Sequence, residues 1–222
     1  MNRIFTQHIL VPNHQSAQQL LVLFMDPNLP IESINLLLQK LTQHFPFAAI
    51  ALIQARWTDE EKQITQEKEM RSLISKYSES LVDYIKKLQE HFHIASDATA
   101  LISSGLASSI CLDLIAEKKL LPGRFIGLMP LLVNYPQHIS AQTTLHLFYN
   151  QDNPFISLPR IHADTQHLKE IDTDFTYDIF EHPYPFNDEI LESMIKRILN
   201  TIPLRIIREV HKSQSKDDKT WS

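Results

Sequence analysis

Thr99-Ala100-Leu101-Ile102-Ser103-Ser104-Gly105-Leu106-Ala107-Ser108-Ser109-Ile110 is the stretch that decides how this chain folds. Its first four residues are short, β-compatible and mostly apolar, as in a buried strand. Ala107, Ile110, Cys111, Leu114 and Ile115 then recur at helical spacing. A strand that turns sharply into a helix lifts the residue at the bend clear of the sheet, and in the pattern small-x-Ser-x-small that residue is a nucleophilic serine. Ser103 and Ala107 supply the small flanks here. Gly105 stands between them and has no side chain with which to attack. The frame of a nucleophile site is present without the nucleophile.

Working outward, strands and helices alternate. Ile4 to Val11 alternates loosely, as an edge strand does. Gln18 to Met25 carries a continuous apolar run of the kind buried on both faces of a sheet. Asp26-Pro27-Asn28-Leu29-Pro30 breaks it, and a helix with Ile31, Ile34, Leu37, Leu38 and Leu41 on one face follows. Phe47 to Gln54 is a second buried strand, and Trp57 to Gln66 a charged connector. A long amphipathic helix then carries Met70, Leu73, Ile74, Tyr77, Leu81, Ile85, Leu88 and Phe92. Beyond the Gly105 unit come strands at 124–128 and 143–149, a helix at 159–170 and a strand at 175–181 with period-two character. Asn187 caps a helix that turns Ile190, Leu191, Met194, Ile195, Ile198 and Leu199 inward, and a last helix starts near Ile202. This alternation predicts an α/β chain: a three-layer sandwich, its mostly parallel sheet covered by helices on both faces. Residues 1–211 are expected to form one domain and 212–222 a polar tail.

The composition narrows the functional classes. The chain has 222 residues, 43% of them hydrophobic, which is ample for a core. A net charge of -5 without a basic block argues against nucleic acid as a partner. No apolar run approaches the roughly 18 residues of a membrane-spanning helix. The N-terminus lacks the ordered features of a secretory signal, and the single cysteine, Cys111, excludes an internal disulfide, so a cytoplasmic location is expected. Glycine is scarce: three residues, Gly105, Gly123 and Gly127, where average usage of about 7% gives roughly 15. Neither a P-loop nor a dinucleotide fingerprint occurs, and no cofactor is expected.

Gln18-Gln19-Leu20-Leu21-Val22-Leu23-Phe24, Thr99-Ala100-Leu101-Ile102 and Thr201-Ile202-Pro203 together resemble the carboxylesterase/phospholipase family of α/β hydrolases, in particular a small bacterial serine esterase. The resemblance runs from about Gln15 to Lys212 and implies an α/β-hydrolase fold with a Ser-Asp-His triad. Its functional positions depart from the family pattern. The nucleophile position falls on Gly105. The acid position falls on Asn153, with Asp152 taking it after a one-residue slip, and the base position falls on Tyr184. Where the family has a His-Gly pair opening the oxyanion loop, this chain has Met25 and Asp26, between which and the next helix lie Pro27 and Pro30. The other oxyanion donor position is Leu106, directly after the nucleophile. Proline has no N–H, and a carboxylate beside a developing oxyanion opposes it. None of Gly, Asn and Tyr performs the triad role it replaces.

Substitutes exist in principle. Ser104 is one place from the bend, but Ile102 and Leu106 would be its bulky flanks. His182 lies two places before Tyr184 and is a displaced-base candidate. Ser103, Ser108 and Ser109 read as backbone-bonded residues at a helix start. Among 11 histidines, His91/His93 and His162/His167 are the tightest pairs, and neither has the spacing of a zinc-hydrolase motif, so no metal is expected. Lys118-Lys119 and Lys196-Arg197 read as helix-end charges, and Trp57 as either core or the rim of a pocket. The expectation is a catalytically degenerate, esterase-like α/β hydrolase retained to bind a small molecule or a protein. The alternative is an active carboxylesterase or thioesterase with a rearranged site built on Ser104 and His182. Self-association through an exposed apolar helix face is a third reading, compatible with the first.

Overall fold

The computed structural model describes residues 5–12, 16–64, 66–153, 156–181, 187–202 and 206. Among the described residues seven strands form one sheet: β1 (Phe5–Leu10), β2 (Gln19–Phe24), β3 (Ala48–Ala55), β4 (Thr99–Ser104), β5 (Arg124–Leu128), β6 (Thr144–Asn150) and β7 (Phe175–Phe180). Their order is β1-β3-β2-β4-β5-β6-β7. β1 runs antiparallel to β3 at the edge, and every other neighbouring pair is parallel. Among the described residues these helices cover it: α1 (Ile31–His44), α2 (Glu67–Phe92), α3 (Gly105–Ala116), α4 (Leu158–Glu170) and α5 (Asp188–Asn200).

Side-chain alternation splits the core into two layers. Leu21, Leu23, Ile50, Leu52, Ile102 and Ile126 pack against α1 and α5. Leu20, Val22, Phe24, Leu101, Phe125 and Leu147 pack against α2, α3 and α4 on the opposite face. The three-layer α/β expectation holds. α3 is apolar nearly all round because it lies inside this second layer, with every residue from Ala107 to Ile115 buried. Cys111 is part of that core, and burial pushes its thiol pKa up. Trp57 is likewise buried, with its ring 6.2 Å from that of Tyr77, so it belongs to the core rather than to a rim.

Some inward expectations fail for geometric reasons. Ile31 is exposed because it sits roughly 90° round α1 from the stripe of Ile34, Leu37 and Leu41, at 3.6 residues per turn. Leu199 is exposed roughly 110° from the buried stripe of α5 by the same measure. β7 shows no burial alternation, since all six of its residues are half-buried at the sheet edge. The cap of α5 is as expected: Asn187 Oδ1 accepts from the Ile190 N–H at 2.9 Å. Of the last expected helix, Ile202 and Ile206 are described: Ile202 is not helical and Ile206 is. Among the described residues no helix is long and apolar enough to cross a membrane.

After β2 the chain steps to one side to make β3 and then returns to the other side to make β4. The sheet order therefore reverses between β2 and β4. Beyond the carboxyl ends of strands flanking such a reversal, a crevice opens in which ligands bind. Asp26 and Gly105 follow those two strand ends.

Candidate functional site

A cavity of about 570 Å³ opens at this switch point. Gly105 and Leu106 from the start of α3, Asp26 and Asn28 from the loop after β2, and Asn153 from the loop after β6 all line it. A larger cleft of about 660 Å³ lies between α2 and the end of α3, but it is lined chiefly by charged side chains and does not reach Gly105. The smaller, more apolar cavity is therefore the candidate site.

The chain bends at Gly105 directly from β4 into α3. The Gly105 φ of 56° is left-handed, a conformation that costs a side-chain-bearing residue energy. The space beside Gly105 is already taken. A Cβ built on Gly105 would lie 2.5 Å from Asp26 Oδ2, closer than real Cβ contacts allow. The pairing of Phe24 with Ser103 across β2 and β4 sets this approach, since the loop leaving β2 then crosses directly in front of the bend.

Asp26 is fixed there by its own turn. Its Oδ1 accepts the Asn28 N–H at 2.9 Å, an Asx turn. Its Oδ2 accepts the Leu106 N–H at 3.4 Å, one of the unpaired donors at the positive end of α3. Burial pushes the Asp26 pKa above the usual carboxylate value, while the hydrogen bonds from Asn28 and Leu106 pull in the other direction. The Asp26 N–H itself donates to Ser104 Oγ at 3.0 Å. The two amides at the expected oxyanion positions are therefore engaged within the protein: Leu106 N–H by a carboxylate, Asp26 N–H by a hydroxyl.

Ser104 is fully buried and lies on the α1/α5 side of the sheet, in register with Ile102. Its hydroxyl, besides accepting from Asp26, donates to Met25 Sδ at 3.6 Å. Met25 is itself buried in that layer and does not line the cavity. Asn153 does line it, and its Oδ1 accepts the Ile156 N–H at 3.0 Å. Asp152 is exposed and outside the lining. Tyr184 and His182 lie outside the described residues. Gly105, Asp26, Leu106 and Asn153 thus come together, whereas Ser104, Met25 and Asp152 point elsewhere. The neighbouring serines hold the framework: Ser103 Oγ and Ser108 Oγ share a hydrogen bond of 2.9 Å, and Ser109 Oγ accepts the Leu131 N–H at 2.9 Å. Ser104, the residue capping α3, makes no side-chain cap bond, and the Leu106 N–H at that helix end is met instead by Asp26 from the loop after β2.

Other cavity residues escaped the sequence reading. Met70 counted as one more residue of an apolar stripe, and Lys62, Gln63 and Ile64 as connector. Met129 gave no signal at all, although its φ of 54° is left-handed for a residue with a side chain, and such strain gathers at functional sites. The Asp26-Pro27-Asn28 turn was the one legible clue, because Asp two residues before a turn N–H favours an Asx turn. Among the described residues no group of three or more His, Cys, Asp or Glu side chains is placed to hold a metal ion.

No family model matches the sequence, and no curated protein matches it either. Solved structures do. The fold is similar to that of esterase PE8, with a TM-score of 0.77 and 12% identity, covering 89% of this chain and 99% of that one. The Bacillus cereus carboxylesterase gives 0.68 and 10%, covering 88% and 93%. The phospholipase/carboxylesterase of Dyadobacter fermentans gives 0.64 and 14%, covering 87% and 96%. At these identities the likeness establishes the scaffold: the chain has an α/β-hydrolase fold.

Proposed function

We propose that this α/β-hydrolase-fold chain is catalytically degenerate and uses the cavity at Gly105 to bind rather than to hydrolyse. The Asp26 carboxylate beside Gly105 carries the proposal. Acyl transfer through a serine enzyme needs an oxygen nucleophile at the bend and N–H donors free to receive the negative charge that develops on the carbonyl oxygen. Here the bend bears only hydrogen, and an internal carboxylate occupies the Leu106 donor. Any oxyanion arising in the cavity would meet a like charge rather than a donor. The cavity itself, open and largely apolar, supports retention for binding.

The rearranged-esterase alternative would need Ser104 as nucleophile. Its hydroxyl is engaged by Asp26 and Met25 on the far side of the sheet, and no observation favours that reading. Incubation with a fluorophosphonate serine probe followed by intact-mass measurement tests the proposal, with p-nitrophenyl butyrate turnover as a parallel assay. No adduct and no turnover above buffer are expected. A stoichiometric adduct on any serine, or turnover that disappears in Ser104→Ala, overturns it.

A further inference from the structure

We infer that the Gly105 cavity takes a molecule with a protonated amine or similar cationic head on an apolar body, the head pairing with Asp26; this rests on the cavity being a binding site rather than a hydrolytic one. Among the described residues two charged side chains line it, Asp26 and Lys62. The Lys62 ammonium is paired with Asp59 Oδ1 at 2.8 Å at the surface. Among the described residues no cationic side chain pairs with Asp26: its hydrogen-bond donors are the backbone N–H groups of Asn28 and Leu106 and the Asn28 side-chain amide. An ionised carboxylate offers about four acceptor positions, so acceptor capacity remains beside Gly105 for a donor arriving from the cavity.

The rest of the wall selects the body of the ligand. Leu29, Ile64, Met70, Leu106, Met129 and Leu131 make it chiefly aliphatic and thioether surface. Two methionines give such a wall room to adapt to differing chains. A cation entering apolar surroundings pays a large desolvation cost unless it meets a fixed counter-charge. Asp26 is held in place by its Asx turn before any ligand arrives, so little ordering cost remains. A carboxylate head, the product of ester hydrolysis, would instead sit against Asp26. The charge preference of the cavity is therefore opposite to that of a site built to receive an oxyanion.

The test is calorimetric titration of the full chain at neutral pH with n-octylamine, 1-octanol and octanoate, which share one chain length and differ in head group. Octylamine is expected to bind at least about tenfold more tightly than either of the others. Asp26→Asn is expected to bring octylamine to within about threefold of octanol while leaving octanol binding unchanged. Equal or tighter binding of octanol or octanoate to the wild-type chain overturns the inference. So does octylamine binding weaker than about 1 mM, or an Asp26→Asn variant that keeps the amine preference. Should that variant fail to fold, the three-ligand comparison on the wild-type chain still decides. The two proposals fail separately: a serine adduct overturns the non-catalytic reading, whereas loss of amine preference with an inert probe overturns the ligand class alone.

Discussion

At the scale of single residues, Gly105 and Asp26 form one unit. A side chain at 105 meets two penalties: the left-handed backbone, costing about 1–2 kcal/mol, and collision with Asp26 Oδ2. Gly105→Ala is therefore expected to lower unfolding free energy by about 2 kcal/mol or more. In an Asp26→Ala background the same change should cost about 1 kcal/mol less, because the colliding carboxylate is gone. Urea denaturation of the four proteins in this cycle measures the coupling, and additive costs would show that the carboxylate does not fill the space beside the bend. That the bend carries no side chain was legible in the sequence, since a glycine between small flanks is a local fact. The occupied donor was not. That Asp26 reaches Leu106 depends on how β2 and β4 align, with Phe24 opposite Ser103, and such pairing joins residues nearly 80 apart in the chain.

At the scale of elements, apolar periodicity carried most of the fold. Arg124–Leu128 is a strand with the bounds expected, and the bend from β4 into α3 falls at Gly105 as expected. What periodicity does not show is how a segment without regular structure is held. The loop after β5 brings Met129 and Leu131 to the cavity wall, and α4 anchors it through Asp164. That buried carboxylate accepts from the Leu132 N–H at 3.0 Å, Tyr135 Oη at 2.5 Å and Arg160 Nε at 2.8 Å. Arg160 also pairs with Glu67 on α2 and donates to the Leu132 carbonyl at 2.9 Å. Burial first, and then the bond to Asp164, pushes the Tyr135 phenol up to about 12. Nothing in the local pattern of His162-Ala163-Asp164 announces this hub, because its partners come from separate parts of the chain. Asp164→Ala strands three donors and is expected to cost about 3 kcal/mol, as for a broken buried ion pair. Amide exchange at Leu131 and Leu132 should quicken well beyond that of β2. Unchanged protection in this loop would mean that Asp164 is not its anchor.

At the scale of the whole molecule, the sheet buries a titratable group on β6, the strand beside the β7 edge. His146 on β6 is fully buried. Its Nε2 accepts from Arg124 Nη1 at 3.4 Å, which places the proton on Nδ1, where it donates to Thr176 Oγ1 at 2.9 Å. Burial first, then the positive charges of Arg124 and Arg197, lowers its pKa from 6.5 to about 3. Between those values the unfolded chain binds the proton and the folded chain does not, so stability is complete above pH 6.5 and is lost as pH falls toward 3. Asp26 and Asp113 work in the opposite sense, because burial raises both. The stability they favour is present below 3.8 and lost as pH rises through their folded values, so on acidification they offset part of what His146 takes away. Unfolding free energy of the wild-type chain is thus expected to fall between pH 6.5 and about 4, with His146 contributing about 3 kcal/mol of the fall at 1.36 kcal/mol per pKa unit. In His146→Gln, whatever its stability at neutral pH, that share of the slope should vanish and leave the curve flat or rising on acidification over the same range. Denaturant titrations across the pH series separate slope from level, so a general loss of packing in the variant cannot imitate the effect. A variant slope as steep as the wild type's would place the acid sensitivity of this fold elsewhere than in its buried histidine.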